Sequence, residues 1–441
     1  MASVSFTDEV VASPGSEPSP QPYGALKKTL ILAAAFLLVF LAHYVSRPAV
    51  EGILVKCFGA TNVPLASLVR DVFALPVTLL VLASHRRSFR LSKAIISIVV
   101  PCCVVLIVVP FFPNPAGYSL IAFLLYLASG ILVNTGQYCT WMLFTSTVIT
   151  RNWLYFTIFG CGPQIAVIVS STLARQIIVS WGVEKLLWVG VTVYIATWIV
   201  IIYAMRRFTC FGGRPDEIVG QSSEFNEKQL SLRALGTLLA VPYTRFLCLA
   251  IFLQVVTGEA LRWKIFQQAD KTSSLAGAAE LLSKFFQQTG FISLSIQALI
   301  VPLLFLFLVR RGLMIQPLLG LVVVMLLSEN ASTLLVVFAV ATYISFEYTV
   351  NNCMREVLYI PLPLSLKVRM KAALAILIPN IAHLVGSAIV FGLTLFTGVA
   401  WQLAVAAISC FWLWSAWRVT RLYDRIATTQ MSERAVAADA V

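Results

Sequence analysis

Charge is what this chain has least of. Lys, Arg, Asp and Glu make up 12% of its 441 residues, and the acids are outnumbered 19 to 32 by Lys and Arg. A water-soluble surface needs a far larger charged share, and a mean hydropathy of +0.89 excludes an ordinary soluble globular domain. Phosphate-loop chemistry is missing too: no G-x-x-x-x-G-K-[ST] stretch occurs, which excludes ATP hydrolysis by that device. There is no H-E-x-x-H, and three histidines with nine scattered cysteines give no metal-ligand spacing. Neither a metal nor a cofactor is implied. Only Cys57 falls in an expected outer loop, so no disulfide framework is expected. Alternating segments of about 10 residues, the mark of a strand barrel, are absent as well.

What is present is a series of apolar runs able to cross a hydrocarbon core of about 30 Å, which takes about 20 helical residues. The sequence predicts an all-α polytopic membrane protein with spans at 29–46, 61–83, 94–112, 118–149, 154–178 and 185–205. Six more follow at 243–261, 283–309, 313–328, 331–350, 370–396 and 399–420. The run 118–149 is too long for one straight span. Residues 1–26, rich in Ser, Pro and Glu, read as a disordered tail. Residues 27–205 and 243–425 read as two six-helix halves, 206–242 as a cytoplasmic linker and 426–441 as a C-terminal tail. Six spans, a linker and six spans suggest two structural repeats, an arrangement common among transporters. No residue-level similarity between the halves accompanies it.

Orientation follows from the cations. With both termini inside, 23 of the 32 Lys and Arg residues fall on inner segments, and the outer loops 113–117 and 397–398 carry none. The net charge of +13 is then a topological signal, not a nucleic-acid footprint.

Ionisable groups inside spans are the exceptions, since each costs at least about 2.5 kcal/mol to insert. In "HYVSRPAVE", Arg47 and Glu51 share a helical face if the helix continues past Pro48. "LVRDV" supplies Arg70 and Asp71, "GEALRWK" supplies Glu259, Arg262 and Lys264, "SKFFQQTG" supplies Lys284, and Glu347 ends the tenth span. Uncharged groups join them: Asn134, Gln137 and Trp141 in "NTGQYCTW", Gln164 in "GCGPQ", Asn380 and His383 in "PNIAH". One reading is a polar cavity whose cations grip an anionic substrate, Arg through two parallel hydrogen bonds and Lys as a point charge. The other is internal ion pairs, such as Arg47 with Glu51, plus side chains snorkelling to the interface. Lys56, Lys185 and Lys271 fit the second. The glycine-rich "FGCGP" at 159–163 reads as close helix packing.

The stretch "NNCMREVLYIPLPLSLKVRMKAA" resembles the segment before span 11 of the bacterial and plastid ATP/ADP translocases, nucleotide transporters related to the major facilitator superfamily. Arg355 and Glu356 stand on that family's Lys-Glu pair and Tyr359, Ile360, Pro361 and Leu362 on its Tyr-Ile-Pro-Leu. Lys367, Val368, Arg369, Lys371, Ala372 and Ala373 follow in register. "RPAVEGILVKCFGATNVPLASLVRDVFALP", "LYFTIFGCGPQIAVIVS", "GEALRWKIFQQ" and "SKFFQQTGF" are similar to other family segments more loosely. The chain departs from the pattern at Glu347, which reverses a family Lys, and at Ala375, Asn380 and His383, which replace Asp, Arg and Lys. Val50 and a position near Val133 likewise stand where the family carries charge.

The resemblance implies a major-facilitator-like fold in a bacterial inner membrane, with both termini cytoplasmic. It implies secondary active transport of a nucleotide or nucleotide-like anion by alternating access, with ATP/ADP-type exchange first. Arg47, Arg70, Asn134, Gln137, Trp141, Gln164, Lys264, Lys284, Asn380 and His383 are the candidate substrate ligands. Glu51, Asp71, Glu259, Glu347, Arg355, Glu356, Tyr359 and Lys371 are the candidate coupling or gating residues. The alternative is proton-coupled import of a less phosphorylated or non-nucleotide metabolite. A membrane enzyme or scaffold is the reading from another class, and it lacks a catalytic constellation or a large soluble domain. The expected partners are a small-molecule substrate, the lipid bilayer and, for symport, protons; nucleic acid is not among them.

Overall fold

A computed structural model describes residues 22–84, 88–112, 117, 119–147, 153–209, 239–300, 312–328, 330–351, 358, 378–396 and 398–439. Most of the linker and the stretch 352–377 apart from Leu358 lie outside the described residues, and with them Arg355, Glu356, Tyr359 and Lys371. The side chain of Trp141 also lies outside them.

Twelve α-helices carry the described chain. The first six are α1 (Pro22–Phe58), α2 (Val63–Ser84), α3 (Ser88–Val108), α4 (Ser119–Thr147), α5 (Trp153–Trp181) and α6 (Val183–Thr209). The second six are α7 (Pro242–Asp270), α8 (Leu275–Ser295), α9 (Ile315–Leu326), α10 (Thr333–Phe346), α11 (Ile378–Leu393) and α12 (Gly398–Asp439). In hydrocarbon every backbone N–H and C=O must be satisfied internally, which is why apolar runs of this kind become helices. Among the described residues seven helices are long and apolar enough to cross a membrane by length and composition, and three shorter apolar helices join them.

The helices match the twelve predicted spans and differ at their ends. α1 runs through Pro48 to Phe58, although its apolar run stops at 46, and α7 reaches Asp270, although its run stops at 261. Both extensions contain the charged residues that end an apolar window in sequence. These side chains find partners in the fold, so the helices continue. The α4 run is one unbroken helix and not a broken span. Its 29 residues make about 44 Å, enough to cross the core and both headgroup layers. π-helical turns follow α8 (Ile296–Ile300) and α10 (Glu347–Asn351).

Packing repeats between the halves. α1 lies against α4, α5 and α6, and α7 lies against α10, α11 and α12 in the same way. α3 meets α4 and α6 just as α9 meets α10 and α12, and α2 on α4 is matched by α8 on α10. Across the interface α2 meets α11 and α5 meets α8, two contacts that a two-fold relation between halves exchanges. The fold is therefore two six-helix bundles with the same internal packing. Large apolar side chains stay exposed on its perimeter, with Phe111, Val179, Leu334 and Leu395 all above 70%. Such a belt is what a lipid-facing surface requires.

Small residues set the closest crossings. A Cβ on Gly190 of α6 would sit 2.6 Å from Ser46 Cβ of α1, and one on Gly162 of α5 would sit 3.2 Å from the Ala33 carbonyl of α1. Gly162 belongs to "FGCGP", so the close-packing reading has a contact behind it. Gly182 alone links α5 to α6 with φ at +86°, a left-handed conformation that glycine adopts without steric cost. Gly190→Ala should lower the thermal midpoint of the detergent-purified protein, at a cost of about 1–3 kcal/mol. Gly392→Ala, where a Cβ meets nothing within 4 Å, should leave it unchanged. Equal midpoints for the two variants would refute the packing assignment.

Candidate functional site

The polar residues singled out in the sequence gather mainly where α1, α2 and α4 of the first half face α7, α10 and α11 of the second. α1 places Arg47 and Glu51 one turn apart, with Arg47 Nε donating to Glu51 Oε1 at 2.6 Å. Arg47 Nη1 also donates to Tyr44 Oη at 3.3 Å, and its guanidinium lies 4.5 Å from the ring centre of Phe286 on α8. Glu51 is buried, so the pair sits away from bulk water. Pro48, between them, carries no N–H and leaves a gap in the helical hydrogen-bond ladder.

On α2, Arg70 donates from Nε to Asp71 Oδ1 at 2.8 Å and from Nη1 to Tyr126 Oη of α4 at 2.6 Å. Tyr126 Oη is also 2.9 Å from Ser67 Oγ, which ties α2 to α4. Gly130, one turn beyond Tyr126, makes room for the arginine: a Cβ there would lie 3.1 Å from Arg70 Cδ. Asn134 and Gln137 continue that face of α4, Asn134 exposed and Gln137 half-buried. Gln164 is buried in α5.

α7 provides the second half's charges. Arg262 donates from Nη1 to Glu259 Oε1 at 3.0 Å and from Nη2 to Tyr348 Oη at 3.4 Å. His383 Nδ1 of α11 stands 3.2 Å from the same Glu259 oxygen, within ion-pair distance but without hydrogen-bond geometry. Glu347 opens the π-helical turn after α10 and accepts from Gln254 Nε2 of α7 at 3.3 Å. Gln254 in turn accepts from Asn351 Nδ2, so two buried amides and a carboxylate form one chain. π-helical turns often mark functional positions, and this one aims Glu347 at α7 beside Gly258.

The halves are joined electrically as well as by packing. Arg70 lies within electrostatic range of Glu259 across the interface, and Arg262 within that of Glu51. Three arginines, Arg47, Arg70 and Arg262, meet four carboxylates, Glu51, Asp71, Glu259 and Glu347, so the centre holds no surplus of cations. Three buried polar atoms of this centre, Asp71 Oδ2, Arg262 Nε and His383 Nδ1, make no hydrogen bond. A void of about 10 Å³, room for about one water, touches Glu259, Ser67 and Trp263 between α2, α7 and α11.

Not every candidate is central. Lys264 lies over the rings of Trp401, at 4.2 Å, and Trp263, at 5.2 Å. Lys284 is exposed on α8, 3.0 Å from Glu280, which also meets Arg175 of α5 at 3.4 Å. That places Lys284 in a surface triad across the α5–α8 seam. Asn380 lies on α11 one turn before His383.

Sequence reasoning missed Tyr44, Tyr126, Tyr348, Gln254 and Asn351. Polar side chains in the middle of apolar runs were the available signal for the two amides. It also missed a latch between the α1–α2 and α7–α8 turns. Lys56 Nζ donates to the carbonyls of Asp270 at 2.8 Å and Thr272 at 2.6 Å, and Asp270 Oδ2 accepts from Ala60 N at 3.0 Å. Trp263 Nε1 closes the group on the Ala60 carbonyl at 2.9 Å. The sequence predicts internal pairing or snorkelling for Lys56; its ammonium instead bridges the two halves through backbone carbonyls.

No family model and no curated protein sequence matches the chain. Solved structures do. An auto-inhibited POT family peptide transporter is 13% identical with a TM-score of 0.60, covering 90% of this chain and 97% of its own. The nucleoside transporter NupG is 11% identical with a TM-score of 0.58, covering 90% and 99%. A POT family transporter in complex with 5-aminolevulinic acid is 10% identical with a TM-score of 0.55, covering 89% and 96%. At such identities the likeness establishes the fold: a two-bundle helical membrane protein over nearly its whole length.

Removing one partner of a buried ion pair strands the other, at about 3–5 kcal/mol, while removing both is far milder. Arg47→Gln should therefore lower the thermal midpoint of the purified protein strongly, and Arg47→Gln with Glu51→Gln should recover most of the loss. A double variant as unstable as the single one would show that the pair is not a unit.

Proposed function

We propose that the protein is a secondary transporter that moves a small polar metabolite by alternating access of its two halves around the polar centre at their seam. The observation that carries this reading is the polar centre without surplus cations at the seam between halves that share the fold of solute transporters. In an apolar surround an extra charge is costly unless matched. A triphosphate brings several negative charges, which calls for surplus cations, and here each central arginine already holds a carboxylate. A solute of low net charge, such as a nucleoside, fits a matched site better, and NupG and the POT transporters give the fold precedents for nucleosides and peptides.

Coupling then falls to a carboxylate that exchanges a proton for an arginine's hold. Glu259 suits the role, since it joins Arg262, His383 and the field of Arg70 at one point. Protonating it removes the attraction across the seam and leaves Arg70 and Arg262 to their own neighbours. Reversal of that step resets the other access state.

A second reading, nucleotide exchange of the ATP/ADP type, is favoured by the 351–373 resemblance. Arg355, Glu356, Tyr359 and Lys371 are its proposed gate. Uptake into proteoliposomes separates the two. We expect an inward-directed proton gradient to drive accumulation of a nucleoside-class or other weakly charged solute. Glu259→Gln should abolish that drive yet keep counterflow. Exchange of preloaded ADP for ATP, indifferent to the pH gradient, would favour the second reading. No accumulation across nucleotides, nucleosides and nucleotide cofactors would sink both.

A further inference from the structure

We infer that the start of α7 and the middle of α12 form a binding site for the phosphate of an anionic phospholipid, a lipid-facing site separate from the polar centre. α12 shows one exposed stripe along its length: Leu403, Ala407, Phe411, Trp414, Arg418, Arg421 and Arg425 recur at the three- and four-residue spacing of a single helical face. The stripe is apolar up to Trp414 and cationic from Arg418 on. A phospholipid has the same order along its length, acyl chain then phosphate.

The cationic end is built. Arg418 lies 5.3 Å from the ring centre of Phe246 and 5.9 Å from that of Trp414, and Arg245 lies 5.6 Å from the same Phe246 ring. Phe246 meets Trp414 edge to face at 5.4 Å, and Phe411 stacks on Trp414 at 5.3 Å. Ser415 Oγ donates to the Phe246 carbonyl at 2.9 Å, locking the register of α12 against α7. Arg421 stacks on Trp417 at 4.1 Å.

Two like-charged guanidinium groups are thus held against one phenyl ring, and neither makes an ion pair with any described residue. Every arginine of the polar centre has a carboxylate, so this difference needs a cause. Aromatic platforms orient the planes and leave the N–H edges open, the geometry in which Arg takes a phosphate oxygen pair. Membrane phosphate is the source that the apolar half of the stripe selects, since a soluble anion makes no use of Leu403, Ala407 and Phe411. Cations beside an anionic leaflet each contribute about 1 kcal/mol.

The test is a lipid titration of the full chain in neutral detergent, read as the rise in thermal midpoint. Phosphatidylglycerol should raise it saturably, and phosphatidylcholine or inorganic phosphate should not. Arg245→Gln with Arg418→Gln should move the phosphatidylglycerol half-saturation point up about 30-fold, the two cations' combined contribution. The lipid-free midpoint should stay near that of the parent. Phosphatidylcholine acting as well as phosphatidylglycerol, inorganic phosphate reproducing the shift, or an unchanged half-saturation point in the variant would each overturn the site. Should the double variant not fold, the parent protein at raised salt decides. Loss of the phosphatidylglycerol effect supports the site, and a salt-independent effect refutes it.

Discussion

A charge placed in a low-dielectric interior must be matched locally or it will not stay there, and the rest of this architecture follows from how the matching is done. Arg47 with Glu51, Arg70 with Asp71 and Arg262 with Glu259 are all pairs within one helix. Such pairs travel with their helix, so they survive any rotation of one half against the other. The contacts that cross the seam are of another kind. Arg70 with Glu259 acts at longer range, Lys56 on the carbonyls beside Asp270 is a hydrogen-bond latch, and Arg175 with Glu280 is an ion pair at the surface. Neutralisation is therefore local, and the links between the halves are fewer and weaker than the pairs within each helix.

Much of this was readable in the sequence, and the boundary of legibility has a physical origin. Twelve apolar runs announce twelve helices because lipid permits little else. Helix ends were less legible, since Arg47, Glu51, Glu259 and Arg262 look like the end of a span until their partners are known. The Arg47–Glu51 pair could be anticipated because four residues is one turn. The Lys56 latch could not, since 214 residues separate Lys56 from Asp270. The internal repeat was visible only as six spans, a linker and six spans. Helix-on-helix packing depends on shape and on small residues at crossings, such as Gly190 against Ser46, and such constraints leave no shared residue pattern between halves.

The aromatic side chains divide into two roles along the same logic. Near the centre they organise cations that already have carboxylates: Tyr44 and Phe286 flank Arg47, and Tyr126 lies 4.8 Å from Arg70. At the start of α7 and the middle of α12 they organise Arg245 and Arg418, which form no ion pair with a carboxylate among the described residues. In both places a flat ring fixes a guanidinium plane at low entropic cost. Whether the guanidinium edge is taken or open then depends on the carboxylate, not on the ring.

The cargo question turns on Glu347. Its position in the translocase resemblance belongs to a lysine, so the change is worth two charges at one point of the seam. Here the carboxylate accepts from Gln254, which also binds Asn351, and its field reaches Arg262. Arg262 bonds Glu259 directly and lies within electrostatic range of Glu347, and its Nε is buried and unbonded. A polyanion entering such a site would be repelled by both carboxylates. A neutral or zwitterionic solute meets no such repulsion, and its polar groups can engage the amides and the open Nε edge. The sign of residue 347 therefore argues for a lightly charged cargo more directly than any feature of the fold, which serves transporters of many solutes equally well.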